Sequence, residues 1–489
     1  MNDYNVVEKL INPSSIAVVG ASSNVNKHGG RLIEHLLMHH FPGEIYPVNP
    51  KGGEIQGLRS YQSIEDLPSN PDLACLLIAP KFLMNALEAC AKKKIPMVMI
   101  HASGFAETGI EGALLQNEIV NYAREHNIRI CGPNTIGVVN VNNKKFTSFS
   151  MAMTSKDIPM NGTISYITQS GAIGGAMLSQ GWDKRIGINK WISSGNEADL
   201  DASDYLHYVV DDPSTNTICV FLEGLNSGDK FKSALTKAAN KEKPIIIYKN
   251  GRSEIGQKSV KSHTGVLAGN HQVYKAVFNQ FGVVNAEEMD DLFDYAIAFD
   301  SPNISKGDRI GIISTSGGAC TIVTDQCFKY GLEVPELSSE SIQRLKHFSP
   351  EFSTPQNPFD TTAQILNSPE SFKKSLEIFI NDENIDALVL MLTTLAGSIA
   401  TKVASDIIEL SKTTDKPMYV AWTVAESLAK DGMKLLREAK IPLYPSAERA
   451  VKSVAAVNQH RLFLKKWEGK KTQYTRFLLS DKKVESQKG

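Results

Sequence analysis

The sequence predicts an α/β protein that contains several parallel sheets. Short apolar segments of strand length alternate with amphipathic segments of helical length, and this alternation recurs in three successive units. The length of 489 residues also suits about three domains of roughly 150 residues each. Because strands regularly separated by helices form parallel sheets with crossover connections, each unit is expected to fold around one such sheet.

The composition is that of an ordinary globular protein, with 42% hydrophobic and 21% charged residues. The formal net charge of −1 provides no field that would recruit nucleic acid. No apolar run reaches the roughly 18 residues of a membrane span, and the start "MNDYNVVEKLINPSS" lacks the pattern of a secretory signal. Six cysteines form no CxxC pair, so we expect buried, reduced thiols in a cytoplasmic protein without a membrane or nucleic-acid partner.

The predicted units have distinct bounds. The first covers residues 1–143, the second covers 158–300 and begins with "GTISYIT", and the third covers 306–461 and begins with "RIGIISTSGG". A charged tail over 462–489 is expected to be a helix with a frayed end. The five strands predicted in the first unit are "SIAVVG", "EIYPV", "LACLLIA", "PMVMI" and "NIRICG".

A glycine turn follows the first predicted strand in "SIAVVGASSN" and leads into a helix. Such a turn presents backbone N–H groups at a helix N-terminus, where anions bind. A dinucleotide site would need GxGxxG and an acidic residue about 20 positions later. Of the first two glycines of that motif only Gly20 is present. Asn49 and Lys51 follow the second strand, where the acidic residue would be needed. A lysine there favours a nucleotide with an extra phosphate, which describes coenzyme A.

Two later units repeat one pattern, a strand followed by Ser-Gly and the start of a helix. The segments are "TQSGAIGGAM" in the second unit and "STSGGACTIV" in the third. Glycine turns of two doubly wound sheets would explain each segment by itself. Their equivalent placement in two units makes the repetition informative.

The segment "VKSHTGVLAG" places His263 among small residues, downstream of the basic stretch "YKNGRSEIGQK". Small neighbours let the backbone approach a bulky anion on the imidazole, and the segment "RSEIGQKSVKSHTGVLAG" is expected to be a mobile loop. The histidines His28, His35, His39 and His40 are expected on the surface of the first helix. Adjacent histidines point apart on a helix, so we expect no metal site in this chain.

The chain resembles the α part of the NDP-forming acyl-CoA synthetases, relatives of succinyl-CoA synthetase. The motifs that carry the resemblance span residues 5–460 in the order of the family, and they include "IYPVNPKGGEIQGLRSYQSIEDLP", "IRICGPNTIG", "ISYITQSGAIG", "WISSGNEADLDASDYL", "KNGRSEIGQKSVKSHTGVLAG", "ISTSGGAC" and "QNPFDTT". The resemblance implies a Rossmann-like CoA-binding domain followed by two flavodoxin-like domains with doubly wound parallel sheets. It also implies chemistry through a phosphorylated histidine and an ATP-grasp module for the nucleotide.

The resemblance assigns roles to individual residues. His263 matches the phosphohistidine, and Glu223 in "VFLEGL" matches the glutamate that orients it. Glu197 in "GNEAD" is a weaker candidate, because it could lie on an exposed loop. The two helix N-termini that stabilise the phosphate match Ser170, Gly171, Ser316, Gly317 and Gly318. The residues that match CoA-binding positions are Gly20, Ala21, Ser22, Asn49, Lys51, Ala79, Pro80, Gly104 and Asn134.

The implied reaction interconverts a small carboxylic acid, CoA and ATP with acyl-CoA, ADP and phosphate. No ATP-grasp domain is recognisable in the sequence, so ATP or ADP and Mg²⁺ are expected on a separate β subunit, in an α2β2 hetero-oligomer. Two alternatives stay open: a nucleotide-independent acyl or carbamoyl transferase on the same scaffold, and a CoA-binding regulatory protein without chemistry. The retained His263 and Glu223 favour the synthetase.

Overall fold

The computed structural model describes residues 3–264, 270–347, 354–361 and 369–469. The strands are β1 (Ser15–Val19), β2 (Glu44–Val48), β3 (Glu54–Ile55), β4 (Leu58–Arg59), β5 (Leu73–Leu76), β6 (Met97–Ile100), β7 (Arg129–Cys131), β8 (Gly137–Asn140), β9 (Lys145–Ser148), β10 (Ile164–Thr168), β11 (Ile188–Ser193), β12 (Thr217–Leu222), β13 (Ile245–Lys249), β14 (Val284–Ala286), β15 (Ile310–Ser314), β16 (Phe359–Asp360), β17 (Ala387–Leu392), β18 (Met418–Trp422) and β19 (Leu443–Tyr444).

The α-helices occupy the connections between these strands. They are α1 (Asp3–Ile11), α2 (His28–Met38), α3 (Leu83–Lys92), α4 (Ile110–Glu125), α5 (Gly171–Asp183), α6 (Ala202–Asp211), α7 (Gly228–Asn240), α8 (Glu254–Thr264), α9 (His271–Phe281), α10 (Asp291–Phe299), α11 (Gly317–Lys329), α12 (Ser339–Lys346), α13 (Pro369–Asn381), α14 (Gly397–Ser411), α15 (Glu426–Glu438) and α16 (Ala447–Glu468). The predicted α/β class with parallel sheets is therefore confirmed.

The first sheet has the order β2-β1-β5-β6-β7, and all of its strands are parallel. All four residues of β5 and of β6 are buried, as expected for strands that helices cover on both faces. One hydrophobic core of this sheet joins strand residues such as Ala74 and Val98 with Leu87 of α3 and Ile119 of α4. The predicted strands of the first unit are all present.

The second sheet has the order β14-β13-β12-β10-β11-β8-β9. Strands β10 to β14 are parallel, and the hairpin β8–β9 is added antiparallel at the β11 edge. The sheet therefore begins near residue 137, before the predicted second unit at 158. Strand β9 lies in the interval between the predicted first unit, which ends at 143, and the predicted second unit, which begins at 158. Its pairing with β8 is supported by the Thr147 hydroxyl, which donates to the Val138 carbonyl oxygen over 2.9 Å.

The third sheet has the order β16-β15-β17-β18-β19 and is parallel throughout. Among the described residues, it belongs to a compact unit that falls within 184–186 and 288–473, while those within 1–183 and 187–287 belong to another. Helix α10 joins the unit of the third sheet because charged pairs connect it with α16. The Arg449 Nη2 atom lies 2.7 Å from Asp294 Oδ1, and Lys452 Nζ lies 2.7 Å from Asp291 Oδ2.

All six cysteines are buried and free of disulfides. Burial raises the pKa of the Cys131 thiol to about 12, which keeps it protonated and unreactive at neutral pH. Across the described ranges, no helix combines the length and apolar character that a membrane crossing requires.

Candidate functional site

The carboxyl ends of parallel strands share one edge of a sheet, and ligands bind there where the strand order reverses. In the first sheet this reversal falls between β1 and β5, in the second between β10 and β12, and in the third between β15 and β17. The residues proposed from the sequence follow the carboxyl ends of strands in all three sheets.

Gly20 follows β1 at the reversal point of the first sheet. Its φ of +90° lies in the left-handed region, and a Cβ there would approach the Leu77 carbonyl group to 3.0 Å or less. The amides of Gly20 and Ala21 donate to the Val48 carbonyl oxygen over 3.1 and 3.2 Å. A side chain at position 20 would therefore close the crevice between β1 and β5.

Asn49 holds this turn against the end of β2. Its Nδ2 donates to the Ala21 carbonyl oxygen over 2.8 Å, and its Oδ1 accepts from the Lys51 amide over 3.0 Å. The Ser22 carbonyl oxygen accepts from Gln56 Nε2 over 3.2 Å. Lys51 is exposed, so its ammonium group is accessible to an anion in solvent.

The other candidate CoA-binding residues follow β5, β6 and β7. Ala79 is exposed, and Pro80 begins a short 3₁₀ turn. Gly104 has a φ of +106°, and a Cβ there would lie 3.5 Å from Pro80 Cγ. Asn134 has a φ of +61°, and its amide donates to the Ala102 carbonyl oxygen over 2.9 Å. The turns after β5 and β6 are thus in contact with each other.

Glu107 links these turns to the second sheet, and the sequence analysis did not identify it. Its Oε1 accepts from the Gly104 amide over 2.6 Å, and its Oε2 accepts from Asn196 Nδ2 over 2.5 Å. Burial alone raises the pKa of Glu107, but these hydrogen bonds outweigh burial and lower it overall. Asn196 Oδ1 also accepts from Asn134 Nδ2 over 3.3 Å. The conformations of Gly104 and Asn134 are therefore coupled to the turn after β11.

Ser170 and Gly171 lie at the start of α5, directly after β10. The Ser170 carbonyl oxygen accepts from the Gly174 amide over 2.9 Å and from the Thr168 hydroxyl over 2.8 Å. A Cβ on Gly171 would lie 3.0 Å from Ile136 Cγ2. The helix start is thus closely packed, and its first amides face the carboxyl edge of the sheet.

Glu223 follows β12, the strand on the other side of the reversal point. It is buried, and its Oε1 accepts from Asn250 Nδ2 over 3.4 Å. Gln169 bridges the two strand ends: its Oε1 accepts from the amides of Glu223 and Gly224, and its Nε2 donates to the Gly224 carbonyl oxygen over 2.9 Å. The structure therefore brings Glu223 close to the Ser170–Gly171 turn.

Glu197 is buried, although the sequence allowed it to lie on an exposed loop. Its Oε1 accepts from the Ser194 hydroxyl over 2.7 Å and from the Ala202 amide over 3.1 Å. Burial raises the pKa of this carboxyl group to about 8, so it is largely protonated at neutral pH. Its φ of +56° is rare outside glycine. Glu197 borders a cavity of about 450 Å³ that is also lined by Arg124, Asn226 and Lys230.

His263 is the next-to-last residue of α8, which begins shortly after β13. Its side chain lies outside the described part of the structure. The basic segment "RSEIGQKSVKSHTGVLAG" was predicted to be a mobile loop, and residues 265–269 of it lie outside the described residues. The prediction is wrong for residues 254–264, which are helical because the Ser253 hydroxyl accepts from the Gly256 amide over 3.1 Å and Glu254 favours the first turn. Helix α8 lies beside the 3₁₀ turn Ala106–Thr108, close to Gly104.

Ser316, Gly317 and Gly318 form the start of α11 after β15, in the other compact unit. The Ser316 amide donates to the Ser314 hydroxyl over 3.1 Å. Asp360 at the end of β16 lies beside this helix start, and its Oδ2 is 3.0 Å from the position of a Cβ on Gly317. Gly317 thus leaves room for the Asp360 carboxylate, and the helix dipole favours its negative charge. Asp360 lies within "QNPFDTT" but was not among the predicted site residues.

Of the histidines predicted to lie on the surface, His28 and His40 are exposed, His39 is half-buried, and His35 is buried, contrary to the prediction. His35 is fully buried, and its Nδ1 lies 2.8 Å from the Ser148 carbonyl oxygen. His39 Nε2 lies 2.7 Å from the Met153 carbonyl oxygen. Helix α2 packs against β9, so its histidines meet polar backbone groups there. Burial lowers the pKa of both imidazoles.

Comparisons with known proteins cover nearly the whole chain. Residues 14–141 match the model of a CoA binding domain, residues 161–299 that of a succinyl-CoA ligase like flavodoxin domain, and residues 310–462 that of a Ligase-CoA domain. The fold and these three matches define a protein of the succinyl-CoA ligase class. The chain belongs to the family of ADP-forming acyl-CoA synthetases.

Individual relatives agree with this assignment. The chain is 33% identical to subunit alpha of ADP-forming acetate–CoA ligase II of Pyrococcus furiosus, over 93% of this chain and 98% of that subunit. It is 34% identical to ADP-forming acetate–CoA ligase I of Archaeoglobus fulgidus, but it spans only 64% of that protein's length. The structure of acetyl-coenzyme A synthetase 1 of Ca. Korarchaeum cryptofilum with phosphate and ADP matches with a TM-score of 0.86 at 30% identity, over 94% of this chain and 98% of that one.

Proposed function

We propose that the chain is the α subunit of an ADP-forming acid–CoA ligase that works through phosphorylated His263. The observation that carries this proposal is the arrangement at the second sheet. Glu223 and the Ser170–Gly171 turn flank its reversal point, and β13 beside β12 leads into α8 with His263. A carboxylate, a helix N-terminus and a histidine are the groups that transfer of a phosphoryl group to an imidazole requires.

The proposed reaction transfers the acyl group to phosphate and then the phosphoryl group to His263. Phosphate attacks the acyl carbonyl carbon of acyl-CoA, the carbon–sulfur bond breaks, and acyl-phosphate and CoA form. An imidazole nitrogen of His263 then attacks the phosphorus, and the carboxylic acid leaves. Glu223 accepts a hydrogen bond from the other ring nitrogen, which selects the tautomer and stabilises the charge. The amides of the Ser170–Gly171 turn stabilise the phosphoryl oxygens.

The first sheet would hold CoA. Gly20, Ala21 and Ser22 offer a turn without obstructing side chains, and exposed Lys51 would bind a phosphate of the nucleotide. Ala79, Pro80, Gly104 and Asn134 would line the same edge. Through Glu107 and Asn196 this edge is connected to the second sheet, which suits a thioester that must reach Glu223 and His263.

The nucleotide step is proposed to take place on a partner subunit. The Pyrococcus relative is named a subunit alpha and aligns over nearly its whole length, which supports a heteromeric assembly. We propose that the partner is an ATP-grasp β subunit that binds ADP and Mg²⁺, in an α2β2 hetero-oligomer. The phosphoryl group of His263 would then pass to ADP.

Labelling with [³²P]acetyl-phosphate tests the proposed function. The chain alone should acquire an acid-labile, base-stable label, and His263→Ala should abolish it. His271→Ala is the matched control, because His271 begins the next helix and should not be needed for labelling. ADP with Mg²⁺ should release ATP, measured with luciferase, only after the β subunit is added.

Three results would contradict the proposal. Undiminished labelling of His263→Ala would place the phosphoryl group on another residue. Steady ATP formation by the lone chain would show that it contains a nucleotide site. Acyl transfer from CoA that is independent of ADP and unaffected by His263→Ala would support the transferase alternative.

A further inference from the structure

A buried lysine lies next to Glu223 at the end of β13. Lys249 is 1% exposed, and its Nζ donates to the Glu223 carbonyl oxygen over 2.7 Å. A second bond runs from Nζ to the Asn250 carbonyl oxygen over 2.5 Å, and the ammonium group lies 4.8 Å from the centre of the Tyr274 ring. A lysine is buried in this way only when its polar contacts offset the loss of hydration.

The ammonium group binds just beyond the last hydrogen bond between β12 and β13. Strands β12 and β13 are parallel, and the last ladder bond runs from the Asn250 amide to the Leu222 carbonyl oxygen over 2.8 Å. Beyond it the chain turns at Gly251, whose φ is +72°. The Glu223 carbonyl oxygen, one residue beyond the end of β12, accepts a hydrogen bond from the Lys249 side chain at this turn.

The backbone of Lys249 is held in place by Arg252. Arg252 Nε donates to the Lys249 carbonyl oxygen over 2.9 Å, and its Nη2 donates to the Ala286 carbonyl oxygen over 2.7 Å. The Arg252 guanidinium group also lies 4.8 Å from the centre of the Tyr248 ring. Arg252 thereby ties the end of β13 to the end of β14, while the Lys249 side chain ties the end of β13 to Glu223.

We propose that Lys249 is a positioning residue that holds Glu223 in the orientation required for phosphoryl transfer to His263. This inference rests on the proposed function, in which Glu223 orients the histidine. Lys249 acts on the Glu223 backbone and not on a reacting atom. Burial lowers the pKa of Lys249 to about 8, an effect that Glu223 opposes and Arg252 enhances, so most of the ammonium is still present at pH 7.

The test is a double-mutant cycle on the labelling rate with [³²P]acetyl-phosphate. Lys249→Met keeps the length of the side chain and removes its donors. We expect this variant and Glu223→Gln each to slow labelling by roughly 10-fold to 100-fold, because small displacements of catalytic groups cost about this much. The double variant should be no slower than the slower single variant, because Lys249 acts through Glu223.

Lys190→Met is the matched control. Lys190 is a buried lysine of the same sheet, 2% exposed, and its Nζ lies 2.6 Å from Asp212 Oδ2. Its loss should lower the unfolding midpoint but leave the labelling rate per folded molecule within about twofold. Equal effects of Lys249→Met and Lys190→Met, or effects of Lys249→Met and Glu223→Gln that multiply, would overturn the positioning role.

Amide hydrogen exchange separates this inference from the proposed function. In Lys249→Met the peptide over residues 220–227 should exchange at least about 10-fold faster than in the wild type, and in Lys190→Met it should not. Unchanged exchange would overturn the role of Lys249 even if labelling were lost. If the wild type takes no label, the proposed function fails, and exchange still decides whether Lys249 holds Glu223. Should Lys249→Met not fold, Lys249→Gln keeps one donor and should show a smaller change of the same kind.

Discussion

Two buried glutamates at the carboxyl edge of the second sheet differ in their surroundings. Glu223 has Asn250 at its carboxylate and Lys249 at its backbone. Glu197 has hydrogen bonds from Ser194 and Ala202, but burial dominates and raises its pKa to about 8. The side chains at such a strand end can be predicted from motif order. Their burial depends on how neighbouring turns pack, which the sequence does not reveal. For this reason the sequence allowed Glu197 to lie on an exposed loop.

The raised pKa of Glu197 predicts a pH-dependent stability. In the unfolded chain this carboxyl group ionises near its ordinary pKa of 4.5, whereas in the folded chain it stays protonated up to about pH 8. The stability that this difference contributes is complete below pH 4.5 and is lost as the pH rises to 8. In Glu197→Gln the unfolding free energy should therefore decline less with rising pH. Relative to the wild type, the unfolding free energy of this variant should increase by on the order of 4 kcal/mol between pH 5 and pH 8.5.

Urea denaturation of both proteins between pH 5 and pH 9 measures this effect. Glu107→Gln is the control: because hydrogen bonds lower the pKa of Glu107 below 4.5, its contribution is fully present throughout this pH range, and the difference in unfolding free energy between Glu107→Gln and the wild type should not change with pH. Parallel curves for the wild type and Glu197→Gln would show that Glu197 is ionised in the folded protein.

The strand–turn–helix is the repeated element on which all the candidate sites depend. In each sheet a strand ends at the reversal point, and a turn of small residues starts a helix at Gly171, at Gly317 or, after Gly20, at His28. This pattern could be predicted from the sequence because apolar strands and glycine turns are local signals. The hairpin β8–β9 could not, since β9 is polar and the hairpin joins the sheet through the pairing of β8 with β11, about 50 residues further along the chain. Helix α8 was missed because small residues near His263 suggest a loop.

Gly20→Ala tests the turn of the first sheet. The new Cβ would require strained backbone at φ +90° and would collide with the Leu77 carbonyl group. Gly57→Ala is the matched control, because its φ is +82° but its Cβ would meet nothing within 4 Å. Gly57→Ala should cost about 1 kcal/mol of unfolding free energy from backbone strain, and Gly20→Ala should cost about 1–3 kcal/mol more from the collision.

Urea denaturation gives the two free energies, and calorimetric titration gives the affinity for CoA. Affinity should fall in Gly20→Ala and remain unchanged in Gly57→Ala. Equal losses of stability in the two variants would show that the turn relaxes around a side chain at position 20.

At the scale of the whole molecule, the chain comprises two compact units. The first contains the first and second sheets, and the second contains the third sheet with its own hydrophobic core. The sequence assigns residues 291–299 to the second domain by their order, whereas the structure groups α10 with α16 through Asp294 and Arg449. Ion pairs between segments some 150 residues apart leave no local signal, so this grouping could not be predicted from the sequence.

Differential scanning calorimetry with CoA tests how the candidate residues are distributed over the two units. All CoA-binding candidates lie in the first unit, so CoA at 100 times its dissociation constant should stabilise that unit by about 2.7 kcal/mol and raise only its transition. Chains with more than one core commonly unfold in more than one step, so the transition of the second unit serves as an internal reference. Lys51→Glu should abolish most of the shift without altering the transitions in the absence of CoA, because Lys51 is exposed. A shift of the second unit's transition, or an unchanged shift in Lys51→Glu, would place the CoA phosphates elsewhere on the chain.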